Sequence, residues 1–151
     1  MTPKEFRELL EPHARKVEAE TGIPWQVMCA QVALETGWLK HVSTDRNTGQ
    51  PSYNLFNIKG YGPAGAVEIN TTEYINGKRT KVVDKFRAYN NYEESFKDYA
   101  NLLKNNKRYG PVFYAKTPEE FAMRLQECGY ATDPDYASKL ISIMKKYFKE
   151  E

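Results

Sequence analysis

The sequence predicts an α+β domain, mainly helical, in which about five helices surround one β-hairpin placed in mid-chain. Three observations carry this reading. Apolar residues recur at helical spacing in both halves of the chain. Cap, proline and glycine signals bracket those stretches. One segment, Val67 to Tyr89, alternates with period two around Asn76-Gly77, the strongest short-range hairpin signal. The 151 residues suit a single domain with one core, residues 1–151, with the hairpin lobe at about 66–89.

Thr2-Pro3-Lys4-Glu5 announces the first helix: Thr2 caps, Pro3 fits the first helical position and Glu5 completes a capping box. Phe6, Leu9, Leu10, His13 and Val17 follow at near-helical spacing, and the helix is expected to end near Thr21-Gly22. A second helix begins at Pro24, with Val27, Met28, Gln31, Leu34 and Glu35 along one side and Gly37 as its stop. Leu39 to Ser52 reads as a polar loop, followed by the short segment Asn54–Gly60 and the glycine-rich Tyr61–Gly65. In the hairpin, one face carries Val67, Ile69, Thr71, Glu73 and Ile75, the other Glu68, Asn70, Thr72 and Tyr74. Asn91-Tyr92-Glu93-Glu94 caps a helix containing Phe96, Tyr99, Leu102 and Leu103. Thr117-Pro118-Glu119-Glu120 opens the next, which runs through Phe121 and Leu125 to Gly129. Asp133-Pro134 opens the last, with Tyr136, Leu140, Ile143, Met144 and Tyr147 turned inward.

Composition narrows the function. Apolar residues make up 40% and charged residues 28%, which is ordinary for a folded domain and argues against disorder. The 22 basic and 20 acidic residues leave a net charge of +2, too balanced for a nucleic-acid binder. Eleven tyrosines suit a groove that stacks on sugar rings, since each offers an apolar face and a polar tip. Cys29 and Cys128 have no metal spacing and no C-x-x-C pattern, so no metal or other cofactor is expected. They read as two buried thiols, with a disulfide as the alternative. No stretch approaches the ~20 apolar residues of a membrane span, and Met1 to Phe6 lacks the basic start and apolar run of a signal peptide.

Without nucleophile triads, phosphate loops or metal signatures, carboxylates are the catalytic candidates. His13 and His41 have no visible partner and read as structural or solvated. Glu35 leads. In the last turn of a helix it faces the negative end of the macrodipole, and Trp38 is near enough in sequence to desolvate it. Both effects raise a carboxyl pKa, as a general acid requires. A surface glutamate at an ordinary helix end is the alternative. Glu73 is the second candidate, on a strand face otherwise apolar at Val67 and Ile69, with Glu68 and Asp84 as rivals on the same hairpin.

Ala30-Gln31-Val32-Ala33-Leu34-Glu35-Thr36-Gly37-Trp38 resembles the signature of the family 73 glycoside hydrolases, the bacterial and phage glucosaminidases. Asn54–Lys59, Thr71–Tyr74 with Asn76-Gly77, Phe86–Tyr89 and Gly129–Ala137 resemble that family's later blocks, in the same order from about residue 24 to 148. The resemblance implies a lysozyme-like fold, a helical lobe and a small β-hairpin lobe flanking a groove. It implies cleavage of the β-1,4 bond between N-acetylglucosamine and N-acetylmuramic acid in peptidoglycan, without a cofactor. It assigns Glu35 as general acid and Glu73 as second carboxylate, with Tyr130 positioning the N-acetyl sugar and Trp38 and Phe56 forming groove wall. The implied partner is the peptidoglycan glycan strand, met by a monomer at the bacterial cell wall, secreted or phage-delivered, with no nucleic acid and no membrane insertion. Retaining, inverting and substrate-assisted routes all stay open. So do a muramidase or lytic transglycosylase on the same fold, and a non-catalytic wall-binding module.

Overall fold

The computed structural model describes residues 1–150. Helix α1 (Pro3–Thr21) opens with the expected reciprocal cap: Thr2 Oγ1 accepts from the Glu5 amide at 3.1 Å, and the Glu5 carboxylate accepts from the Thr2 amide at 2.9 Å. It buries Phe6, Leu10, Ala14 and Val17, one stripe at helical spacing. Leu9, expected inside, is 40% exposed, because it falls one position off that stripe. Helix α2 (Trp25–Thr36) starts at Pro24, which has no capping side chain; Glu18 of α1 accepts the Trp25 amide at 2.9 Å instead.

The one-sided reading of α2 is corrected. Nine of its twelve residues are buried, so it is the central helix of the core, wrapped nearly all round, with Leu34 and Glu35 on its open side. Gly37, Trp38 and Leu39 then run in left-handed conformation (φ 57°, 61° and 70°) and turn the chain away from the helix axis.

Strands β1 (Ala66–Ile75) and β2 (Lys78–Arg87) form an antiparallel hairpin in the register Ala66↔Arg87 to Ile75↔Lys78, closed by Asn76-Gly77 at φ 52° and 77°. A lone two-stranded ribbon is marginal in water, and this one is tied to the helices at its base. Arg87 donates to Asp98 at 2.8 Å and to the Lys59 carbonyl at 3.1 Å, and the Tyr89 hydroxyl donates to Asp98 at 2.5 Å. The Gly62 backbone lies so close to Ala88 that an added Cβ would sit 2.5 Å from its carbonyl oxygen.

The chain returns through α3 (Tyr92–Asn105, capped by Asn91), a 3-10 helix Lys107–Tyr114, α4 (Pro118–Glu127, capped by Thr117) and α5 (Tyr136–Tyr147). The 3-10 helix has no counterpart in the sequence reading. Helix α5 starts at Tyr136, after Asp133-Pro134, and the inward residue at its end is Phe148, with Ile143 and Tyr147 only partly buried. Cys29 is buried and Cys128 half-buried, so the expectation of two buried thiols holds for the first only; both are free thiols, not a disulfide. Among the described residues, no helix is long and apolar enough to cross a membrane.

Candidate active site

Glu35 sits half-buried at the C-terminal end of α2. Asn57 reaches it from the following loop, donating from Nδ2 to Glu35 Oε2 at 3.2 Å and to the Glu35 carbonyl at 3.3 Å. Asn57 is held there by its neighbours. Buried Asn54 donates to the carbonyls of Ile58 and Arg87, both at 2.9 Å, and accepts from the Ile58 amide at 3.1 Å, closing a tight loop. Asn57 occupies the left-handed region at φ 53°, a conformation asparagine tolerates better than most residues.

Burial pushes the Glu35 carboxyl above its ordinary value, and the Asn57 hydrogen bond, favouring the ionised form, offsets part of this. The result is a carboxyl that keeps its proton to higher pH than a surface glutamate does, the property a general acid needs.

The Glu35 charge adds to the raising of the Tyr130 and Tyr136 phenols, after the larger effect of burial and, for Tyr130, of its neighbours Tyr99 and Tyr136. Their rings stack at 5.9 Å and 26°, with Tyr99 and Tyr109 against Tyr130 at 6.1 and 5.9 Å. The Tyr130 hydroxyl makes no hydrogen bond among the described residues, although it lies in this cluster beside Glu35.

A groove of about 440 Å³ opens past Asn57, between the loop at His41 and Thr44 and the hairpin face carrying Ile69, Thr71 and Phe86. Asp45 ties that loop to the hairpin: its carboxylate accepts from the Glu68 amide at 2.8 Å and from the amides of Asn47 and Thr48, both at 3.0 Å. These bonds hold its carboxyl down at about 2.

Glu73 stands on the same hairpin face as Ile69 and Thr71, near the exposed tip. Lys59 Nζ lies 3.6 Å from its carboxylate and 3.4 Å from that of Asp84. Thr71 donates to Asp84 at 2.7 Å, and this bond, with Lys59 beside it, keeps Asp84 ionised below the usual carboxylate range. Glu68 points to the other face and pairs with Arg46 at 3.2 Å. The five residues singled out in the sequence therefore do not form one cluster. Glu35 and Tyr130 come together. Glu73 sits on the opposite lobe, in its own charge cluster.

Trp38 and Phe56 turn away from the role expected of them. Trp38 packs against Phe6 and Tyr147, each at 4.9 Å, and against Phe148 at 6.0 Å, so its ring braces α1 and α5. Phe56 is 4% exposed and stacked on Tyr99 at 4.1 Å and 13°, so it underlies the site and cannot offer a face to a sugar. Sequence reading missed Asn57 and Tyr136. Tyr136 stood out only as a core residue, and Asn57 only as part of a motif.

A helical lobe and a hairpin lobe bound the groove, and Asn57 in its lining holds the raised Glu35 carboxyl, an arrangement that suits glycoside hydrolysis. The chain belongs to the glucosaminidase family: its profile, described as mannosyl-glycoprotein endo-beta-N-acetylglucosaminidase, matches residues 11–149. The peptidoglycan hydrolase FlgJ of Salmonella typhimurium is 44% identical over 147 residues, covering 95% of this chain and 46% of that protein. The exo-glucosaminidase LytG of Bacillus subtilis is 35% identical over 151 residues, covering 97% of this chain and 52% of that protein. The solved glycoside hydrolase domain of Salmonella typhimurium FlgJ, C-terminally truncated, superposes with a TM-score of 0.80 at 44% identity, covering 96% of this chain and 97% of that one. The chain thus spans about half the length of the curated relatives it matches.

Proposed function

We propose that this domain cleaves the β-1,4 bond on the reducing side of N-acetylglucosamine in peptidoglycan, next to N-acetylmuramic acid, with Glu35 as general acid. The observation that carries this is the Glu35 carboxyl itself, raised by burial and steadied by Asn57, which lines the groove between the two lobes. Relatives named peptidoglycan hydrolase and exo-glucosaminidase support the substrate. The protonated Glu35 gives its proton to the glycosidic oxygen as the C1–O bond breaks. The leaving sugar departs with a free hydroxyl, and the water that completes hydrolysis gives its proton to Glu35 on the retaining and acetamido routes or to Glu73 on the inverting route. The domain acts as a monomer at the bacterial cell wall, and the glycan strand is its partner.

Glu73 is the second carboxylate. Its position on an exposed hairpin, paired with Lys59, fits a group delivered when the lobe closes over substrate. One observation favours a second reading. The unengaged Tyr130 hydroxyl beside Glu35 suits positioning of the substrate's own acetamido group as the nucleophile. The test is a Glu73→Gln variant assayed together with the anomeric configuration of the first-formed product by NMR. Loss of activity on the order of a hundredfold or more supports Glu73, with inversion expected if it activates water and retention if it attacks directly. Near-normal turnover with retention supports the acetamido route. Turnover by Glu35→Gln at the wild-type rate would overturn both readings.

A further inference from the structure

The two faces of the hairpin differ in charge and in cover. Cross-strand partners share a face, so the register sorts the ribbon. Ile69, Thr71, Asp84 and Phe86 lie on the face turned to the groove, and Glu68, Asn70, Lys81 and Lys85 lie on the other. Strand β2 alternates accordingly: Thr80, Val82, Asp84 and Phe86 are partly covered, and Arg79, Lys81, Val83 and Lys85 are exposed.

Three of those four exposed positions are basic. At about 3.4 Å per residue, Arg79 to Lys85 spans about 20 Å, a row of positive charge along one strand. The carboxylate on this face, Glu68, is taken by Arg46 at 3.2 Å, whereas Arg79, Lys81 and Lys85 form no ion pair among the described residues. A chain with a net charge of +2 therefore keeps three unpaired cations on one side of a two-stranded ribbon. Apolar surface sits among them. Tyr74 lies opposite Arg79 across the ladder and is 74% exposed, and Val83, between Lys81 and Lys85, is 46% exposed. Tyr61 reaches over from the preceding loop, where its hydroxyl accepts from Lys85 at 2.6 Å.

Lysines on an edge strand guard against pairing with another sheet. That duty does not explain the pattern, because β1 is equally an edge and its outer positions Asn70, Thr72 and Tyr74 carry no cation. Single exposed apolar residues are ordinary, but here three are gathered along a row of cations. Aromatic and apolar surface interleaved with positive charge suits an acidic ligand that also carries short apolar groups.

We propose that this outer face docks the acidic stem peptides of peptidoglycan while the groove holds the glycan. This deepens the peptidoglycan reading and rests on it. The ligand is a short peptide whose free carboxylates lie among alanine methyl groups. The carboxylates meet Arg79, Lys81 and Lys85, and the methyl groups lie on Val83 and Tyr74. Proximity selects this occupant over other polyanions. The ribbon is a single layer, and its inner face lines the groove at Ile69 and Thr71. A glycan strand lying there brings its own peptide branches past the ribbon and onto the outer face.

The test is co-sedimentation with insoluble peptidoglycan stripped of accessory polymers, either bearing its stems or freed of them by an amidase. Binding is measured for Glu35→Gln, which leaves the wall uncut, and for the same chain carrying Arg79→Glu and Lys81→Glu. The two reversals are expected to raise the apparent Kd about tenfold on stem-bearing wall and by less than about twofold on stem-free glycan. The difference is expected to shrink as salt is raised to about 1 M, because exposed charges are screened. With Glu35 intact, the two reversals are expected to leave turnover of stem-free glycan within about twofold of the wild type. Arg79→Gln with Lys81→Gln keeps size and polarity, is expected to weaken stem-dependent binding about threefold, and decides the matter if the reversals disturb the hairpin. Equal binding of stem-bearing wall by variant and parent overturns the proposal. So does an equal loss on stem-free glycan, which makes the face a glycan site. A loss confined to vesicles containing anionic phospholipid overturns it too, and assigns the face to a membrane. A wild type that neither binds nor cuts peptidoglycan of either kind sinks the proposed function itself, whereas one that cuts both kinds without regard to stems or reversals sinks only the outer-face site.

Discussion

Glu35 shows how a site residue opposes the stability of its own fold. Its carboxyl is raised in the folded state, chiefly by burial, so the native protein binds that proton more tightly than the unfolded chain. Where the native state holds more protons, stability falls as pH rises. The cost is absent below the unfolded value, grows through the window between the unfolded and folded values, and is complete at neutral pH. Glu35→Gln keeps the shape and removes the charge. Its melting temperature should exceed that of the wild type at pH 7, and the difference should shrink at pH 4. Thermal melts at the two pH values check this, and an equal or lower melting temperature at pH 7 would contradict the burial account. Glu35 is also where sequence legibility divides. Its helix-end position was readable, and the ordered motif blocks pointed to its role. Trp38 was expected to shield it, yet three successive left-handed residues carry that ring to Phe6 and Tyr147. The group that touches Glu35, Asn57, arrives through a left-handed backbone turn, which hydrophobic period does not report.

Among the elements, those with local signals were readable and those fixed by distant packing were not. The reciprocal cap at Thr2 and Glu5, the Asn91 and Thr117 caps and the Asn76-Gly77 turn all act within a few residues, and each stands where the sequence puts it. The 3-10 helix Lys107–Tyr114 contains Gly110 and Pro111, residues that weaken any helical signal, and it buries Tyr109 and Val112. Helix α2 reads as one-sided from the spacing of Val27, Met28, Gln31, Leu34 and Glu35. Its neighbours α1, α4 and α5 enclose it from several directions instead. The hairpin base depends on a close approach that only glycine permits. Gly62→Ala should place a methyl against the Ala88 carbonyl and destabilise the protein by about 2 kcal/mol, the usual scale for overpacking. Chemical denaturation measures it, and a change below about 0.5 kcal/mol, the usual scale of a neutral surface substitution, would show that the base yields without cost.

At the scale of the whole molecule, the arrangement separates two duties. The helical lobe, built around α2, holds the acid and its tyrosines in a fixed aromatic core. The hairpin lobe carries Glu73 and Asp84 on a thin, exposed ribbon, with Lys59 of the preceding segment beside them, and is anchored through Arg87 and Tyr89 to Asp98 of α3. The α+β class and the groove were legible in the sequence because they follow from the order of elements and the family blocks. The assignment of groove wall was not, because Phe56 lies within an apolar motif whose burial is set by Tyr99 of a helix 43 positions away.

The most direct test of the account is to digest purified peptidoglycan with wild-type protein and with Glu35→Gln, reduce the new chain ends and identify the terminal sugar. The account predicts reduced glucosamine from the wild type. From a folded Glu35→Gln it predicts product lower by a factor of about a hundred or more. Reduced muramic acid, an anhydro end, or wild-type product from Glu35→Gln would contradict it.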